Sequence, residues 1–148
     1  MTSLYTSSGL NHYGSSWVTD SDEPGFTECY GSTDHDGFIN AQSKWLFGVG
    51  WGFRKILNWI HRRYDAPDIY VTEGGWSVKA EAPADGVVDV DRTMYYANYT
   101  AEMRAAIYTD KVNVKGYFAW SLMDNFEWEM GYARSNPPLS NRESAQEH

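Results

Sequence analysis

The sequence predicts an α/β chain organised around a parallel sheet with crossover helices, and three observations carry that expectation. Short apolar, β-branched or aromatic runs alternate with stretches of helical period. Glycine, proline and aspartate punctuate the junctions. Read along the 148 residues, the order is strand, loop, helix, strand, helix, strand, which a parallel sheet with crossover connections requires.

The first strand-like segment is Gly9-Leu10-Asn11-His12-Tyr13, stopped by Gly14-Ser15-Ser16. Ser21 to Asp36 is rich in Asp, Gly, Ser and Thr, so it is expected to form an irregular surface loop of the kind that carries function. Beyond Gly52 the period changes. Phe53, Ile56, Leu57, Ile60 and Tyr64 recur at helical intervals with Arg54, Lys55, Arg62 and Arg63 between them, which predicts an amphipathic helix. Asp65-Ala66-Pro67-Asp68 ends it, because proline cannot continue the hydrogen-bond ladder.

Ile69-Tyr70-Val71-Thr72 follows as a strand expected to be buried on both faces, with Glu73 at its C-terminal end. Gly74-Gly75 breaks it. A loop through Pro83-Ala84-Asp85-Gly86 leads to Asp89 and Asp91, candidate N-caps of a helix over about Arg92 to Tyr108. Met94, Ala97, Ala101 and Ala105 are its expected apolar stripe. Val114 through Leu122, with Tyr117, Phe118 and Trp120, reads as the next strand. The stretch from Ser135-Asn136-Pro137-Pro138 onward lacks apolar periodicity, so residues 1–134 are expected to form one unit and 135–148 a disordered tail.

Composition narrows the function. Hydrophobic residues make up 42% and aromatics 16%, enough apolar surface to offset the entropy of ordering a fold. Seven Trp and eleven Tyr suit core packing, and such rings also line pockets that stack on sugar faces. A net charge of −8 speaks against a nucleic-acid partner, and the basic residues near Arg54 and Arg62 read as a solvated helix face. Cys29 is the single cysteine, so no intramolecular disulfide can form. That fits a reducing, cytoplasmic setting over a secreted one, although a secreted protein without disulfides would look the same. Neither a signal peptide nor a membrane-spanning run is read, and the true N-terminus of the parent protein stays open. No cofactor or metal is expected.

The chemistry centres on carboxylates at one end of the sheet, where α/β folds assemble their sites. An arbitrary loop acid is most often simply solvated. Glu73 differs, because a carboxylate directly after a buried apolar strand needs partners or a role. Asp124, Glu127 and Glu129 lie just beyond the next strand, interleaved with Asn125, Phe126 and Trp128.

Ile69-Tyr70-Val71-Thr72-Glu73-Gly74-Gly75 resembles the T-E-N-G segment of glycoside hydrolase family 1, whose Glu is the nucleophile. Gly116 through Trp128, reading Gly-Tyr-Phe-Ala-Trp-Ser-Leu-Met-Asp-Asn-Phe-Glu-Trp, is similar to that family's segment at the last barrel strand almost residue for residue. Gly9 to Tyr13 resembles the family's strand before the nucleophile's, and Trp45 to Leu57 resembles the intervening loop and helix. The resemblance implies a partial TIM (β/α)8 barrel, C-terminal strands and helices only, from a retaining β-glycosidase acting on a small β-glycoside or oligosaccharide. It implies Glu73 as nucleophile, oriented by the Tyr13 hydroxyl. Trp120, Glu127 and Trp128 would bind the sugar and Trp45 would flank the leaving group.

Three departures qualify this. Gly74 stands where the family has Asn, and the sequence after Arg134 leaves the family pattern. No Asn-Glu-Pro segment, the family's acid/base carrier, occurs. A closed barrel takes about 250 residues, and retaining hydrolysis needs a second carboxyl about 5 Å from the nucleophile. The isolated chain is therefore expected to be inactive, with exposed sheet edges that invite self-association. A non-catalytic carbohydrate-binding module, or a truncated product without function of its own, are the alternatives.

Overall fold

The computed structural model describes residues 7–18, 29–30, 39–41, 43, 46–78, 89–121 and 126. Within them run β1 (Ser7–Asn11), β2 (Trp17–Val18), β3 (Cys29–Tyr30), β4 (Ile39–Asn40), β5 (Phe47–Gly48), α1 (Gly50–Arg63), β6 (Asp68–Gly74), α2 (Val90–Tyr108) and β7 (Val114–Ala119). β1, β6 and β7 form a parallel sheet in that order, with α1 crossing over from β1 to β6 and α2 from β6 to β7. The expected alternation is present. Among the boundaries that differ from the sequence reading, β1 ends at Asn11, leaving His12 and Tyr13 in the loop, β6 runs on to Gly74, and β7 ends at Ala119, before Trp120. The segment expected to be irregular contributes Cys29–Tyr30, which pairs antiparallel with Trp17–Val18. Its remainder, the loop at Pro83–Gly86 and the expected tail at 135–148 lie outside the described residues.

α1 follows its apolar period. Phe53, Leu57 and Ile60 are buried on one face, and Arg62 and Arg63 in the last turn complement the negative end of the helix dipole. The helix stops where Ala66 N–H donates to the His61 carbonyl at 2.8 Å. Asp65 and Ala66 both take left-handed backbone angles, with φ of 58° and 54°, before Pro67 turns the chain into β6.

α2 is capped by Asp89, whose Oδ1 accepts from the Arg92 N–H at 3.0 Å. Its packed face is not the expected one. Met94, Ala97 and Ala101 are exposed, whereas Arg92, Tyr95, Tyr99 and Ala106 are buried. Alanines offer little apolar surface, while the tyrosine rings bury far more and place their hydroxyls against backbone groups that need partners.

The core lies between the sheet and the two helices. Phe53, Leu57, Ile69, Val71, Tyr95 and Tyr99 form its centre. Phe53 and Tyr99 stack at 5.2 Å, Tyr95 and Tyr99 at 4.1 Å, and Trp76 stacks on Tyr95 at 5.0 Å. On the outer side α1 is tied to the end of α2. Arg54 donates through Nε and an Nη to the two oxygens of Asp110, both at 2.7 Å, and Asn58 Nδ2 donates to the same carboxylate at 2.7 Å. The Arg54 guanidinium, followed by the Asn58 amide, holds the Asp110 carboxyl down at about 2.

β6 is not buried on both faces, contrary to the expectation from its composition. Burial alternates along it: Ile69 and Val71 point into the core, while Tyr70 and Thr72 are exposed. Tyr70 flanks Gly116 and Phe118 of β7, and Thr72 flanks Gly9 of β1, so one apolar sheet face carries Phe118 at 58% exposure and Tyr70 at 40%. The pattern is that of a parallel sheet covered by helices on one side only.

Candidate active site

At the C-terminal end of β6 the backbone brings three segments together. His12 N–H donates to the Glu73 carbonyl at 2.9 Å, and Trp120 N–H donates to the Gly74 carbonyl at 2.8 Å. Strand pairing thus continues past the sheet proper and locks the turns after β1 and β7 to Glu73 and Gly74.

Gly75 makes this junction possible. A Cβ on Gly75 would sit 2.0 Å from the Trp120 carbonyl oxygen, so any other residue would drive the Trp120 backbone away. A Cβ on Gly74 would lie 2.6 Å from the Tyr117 hydroxyl. The strand–Glu–Gly–Gly sequence therefore does more than end β6. It admits the neighbouring chain close beside the carboxylate.

Glu73 is half-buried, and the Tyr13 hydroxyl donates to its Oε2 at 2.6 Å. A hydrogen bond that short to a carboxylate is of the charge-assisted kind, which fixes direction as well as distance. Tyr13 is itself held. Its carbonyl accepts from the hydroxyls of Tyr95, at 3.0 Å, and Tyr99, at 3.1 Å. The Tyr99 hydroxyl also accepts from the Val49 N–H at 3.1 Å, which joins the start of α1 to the same cluster. Burial raises the Tyr99 phenol to about 12, so it remains a hydrogen-bond donor at neutral pH.

His12 packs behind this pair, its ring stacked on Phe53 at 5.1 Å and tilted against Tyr99 at 6.0 Å. Burial lowers its pKa to about 4, so the imidazole is neutral near pH 7 and acts here as a flat packing element. On the other flank the Tyr96 hydroxyl reaches the Gly74 and Trp120 carbonyls at 3.4 and 3.3 Å. Trp120, 38% exposed, stands after β7 at the same end of the sheet as Glu73. The Trp120–Ser121 peptide is cis.

Of the residues singled out from sequence, the structure brings Tyr13 and Glu73 into contact and places Trp120 on the adjoining strand end. Trp45, Glu127 and Trp128 lie outside the described residues. The second layer was missed: Tyr95, Tyr96 and Tyr99 determine where Tyr13 and the Glu73 backbone sit. Their signal was the i, i+4 spacing of Tyr95 and Tyr99, which competes with the alanine stripe and wins on buried area. Chemically, the arrangement offers one oriented carboxylate beside an exposed indole. Among the described residues no cluster of His, Cys, Asp or Glu is fit to hold a metal ion, and no helix is long and apolar enough to cross a membrane.

Comparison with known proteins gives this geometry its context. β-Glucosidase 4 of Oryza sativa subsp. japonica is 40% identical over 139 residues, covering 85% of this chain and 29% of its own length. A β-glucosidase from the fungus Humicola insolens, solved in complex with glucose, superposes with a TM-score of 0.78 at 37% identity, over 89% of this chain and 30% of that one. A mutant rice β-glucosidase solved in a covalent complex with Glc superposes with a TM-score of 0.82 at 28% identity, over 91% and 32%. The chain thus spans about three tenths of the length of these relatives, and its parallel sheet with crossover helices is part of a TIM barrel. Residues 2–135 match the family model of glycosyl hydrolase family 1, and with that match the chain belongs to the family.

Proposed function

We propose that these residues form the nucleophile-bearing part of a retaining β-glycosidase of the β-glucosidase type. The observation that carries the reading is the 2.6 Å hydrogen bond from Tyr13 to Glu73 at the C-terminal end of a parallel sheet, the end where barrel enzymes do their chemistry. Glucose bound in one relative and Glc held covalently in another support a covalent glycosyl intermediate on a sugar of this class.

In the proposed reaction Glu73 Oε1 or Oε2 attacks the anomeric carbon as the glycosidic oxygen departs, and water then releases the sugar with net retention. Tyr13 holds the attacking carboxylate along one direction, which lowers the cost of reaching the in-line geometry. Trp120, with Glu127 and Trp128, would bind the sugar, and Trp45 would flank the leaving group. The double displacement calls for no cofactor. The acid/base carboxyl has no counterpart here as Asn-Glu-Pro, so it must come from outside these 148 residues.

Protonation of the leaving oxygen contributes about 10² to 10⁴ in rate, and lost orientation costs about 10² or more. The 148 residues alone should therefore not turn over a glycoside, and their open sheet edges favour self-association. The test joins residues 1–135 to the upstream part of the rice relative in one chain and measures release of p-nitrophenol from its β-glucoside. The joined protein should hydrolyse it, its Glu73→Gln variant should lose activity by orders of magnitude, and the 148 residues alone should do nothing. Equal activity with Gln at position 73 would end the nucleophile assignment.

A further inference from the structure

Neighbouring tyrosines on α2 reach two different places. Successive helix residues point about 100° apart, so Tyr95 and Tyr96 address different neighbours. Tyr95 and Tyr99 share a stripe one turn apart, and both donate to the Tyr13 carbonyl, at 3.0 and 3.1 Å. Tyr96 turns to the other flank, where its hydroxyl stands 3.4 Å from the Gly74 carbonyl and 3.3 Å from that of Trp120. Both distances are long for a hydroxyl donor, as fits one proton shared between two acceptors. Burial raises the Tyr96 phenol above its ordinary value, so that proton stays in place at neutral pH.

The Trp120 backbone is gripped from more than one side. Its N–H donates to the Gly74 carbonyl at 2.8 Å. A Cβ built on Gly75 would lie 2.0 Å from the Trp120 carbonyl oxygen and 3.5 Å from the Trp120 Cβ, so the root of the indole rests on the Gly75 backbone. The Tyr96 hydroxyl reaches the same carbonyl that Gly75 crowds.

The ring of Tyr96 is placed by the core, edge-on to Tyr95 at 5.3 Å and to Tyr117 at 6.5 Å. Phenylalanine would fill that space equally well. The hydroxyl is therefore surplus to packing, and it is spent at the sheet end where Glu73 and Trp120 emerge.

We propose that Tyr96 is a positioning residue for the sugar: its hydroxyl ties the Trp120 carbonyl to the end of β6 and so fixes where the exposed indole stands relative to Glu73. Tyr95 serves the other task, holding the direction of the attacking carboxylate through Tyr13. One helix thus sets sugar placement and nucleophile direction through separate hydroxyls. The assignment rests on the reading of Glu73 as nucleophile and Trp120 as a sugar-binding ring.

The experiment deletes single hydroxyls in the joined protein described above. Tyr96→Phe should weaken glucose binding in calorimetry and raise KM for p-nitrophenyl β-glucoside, each by about three- to tenfold, the worth of one neutral hydrogen bond. Its kcat should change by less than about twofold. Tyr95→Phe should do the reverse, lowering kcat by about three- to tenfold while glucose affinity stays within about twofold. Gly75→Ala displaces the same Trp120 carbonyl from the opposite side, so it should weaken glucose as Tyr96→Phe does, and it carries the test if Tyr96→Phe fails to fold. Tyr108→Phe, 68% exposed at the end of α2, should change none of these values. Unaltered glucose affinity in Tyr96→Phe or in Gly75→Ala, or a fall in kcat in Tyr96→Phe that matches Tyr95→Phe, would overturn the proposal. Glucose binding needs no turnover, so failure here is distinguishable from retained activity in Glu73→Gln, which would end the nucleophile assignment instead.

Discussion

The two faces of one three-stranded sheet differ more from each other than the sheet differs from its helices. On the helix side, Ile69 and Val71 are fully buried against Phe53, Leu57 and Tyr99, and the Tyr95 and Tyr99 hydroxyls donate to the Tyr13 carbonyl. On the other side, Tyr70 and Phe118 stand exposed beside Gly116, and Glu73 sits at the rim. The first face is complete within these residues. The second is finished only as far as the Glu73 carboxylate and its immediate support. The outer wall and the inner surface of a barrel are thus separable problems, and this stretch of chain solves the first alone.

The largest effect should come from the closed face. Phe53→Ala removes a ring that stacks on both His12 and Tyr99, at a cost of about 3–5 kcal/mol, read from loss of helical circular dichroism in urea. If it cost no more than a change on the open face, the contrast between the two faces would not hold.

His12 supplies the next test. Its folded pKa of about 4 lies below the ordinary 6.5, so the unfolded chain binds more protons between those values and stability rises with pH across that window. Acidifying from pH 6.5 towards 4 should remove roughly 2–3 kcal/mol. In His12→Gln that part of the pH dependence should disappear, and a persisting slope would assign it to other groups.

Gly75→Ala should cost about 1–3 kcal/mol, because its methyl would meet the Trp120 carbonyl and part β6 from the end of β7. An unchanged melting curve would mean that the junction beside Glu73 is looser than its geometry indicates. Smallest of all is Phe118→Ser. At 58% exposure its removal should cost no more than about 0.5 kcal/mol. It should instead lower self-association in sedimentation, and a large destabilisation would place Phe118 in the core after all.

Much of this was legible in the sequence where one physical term dominated. The Phe53–Leu57–Ile60 period and the Asp65-Ala66-Pro67 stop located α1, and the apolar run before Glu73 located β6, whose end holds the candidate site. The reading failed where terms competed. Met94, Ala97, Ala101 and Ala105 line up on a helical wheel, but Tyr95 and Tyr99 offer more area and hydroxyls that satisfy Tyr13 and Val49, so the helix rotates to bury them. Ile69 to Thr72 reads as doubly buried because its residues suit a barrel wall, yet burial on the second face depends on strands these residues do not include. Close approaches such as Gly75 to Trp120 leave only a bare glycine in the sequence, with nothing to say what comes near.

The central claim is that this chain supplies the nucleophile and that the nucleophile is Glu73. Its most direct test uses residues 1–135 joined to the upstream part of the rice relative, incubated with a 2-deoxy-2-fluoro-β-glucoside carrying a dinitrophenolate leaving group. The fluorine slows both chemical steps, and the activated leaving group departs without protonation, so the covalent intermediate should accumulate for mass spectrometry of the digested protein. One fluoroglucosyl adduct per chain is expected, on the peptide containing Glu73 and on that carboxylate. An adduct on any other carboxylate of an active joined protein, or none at all while it hydrolyses glycosides, would contradict it.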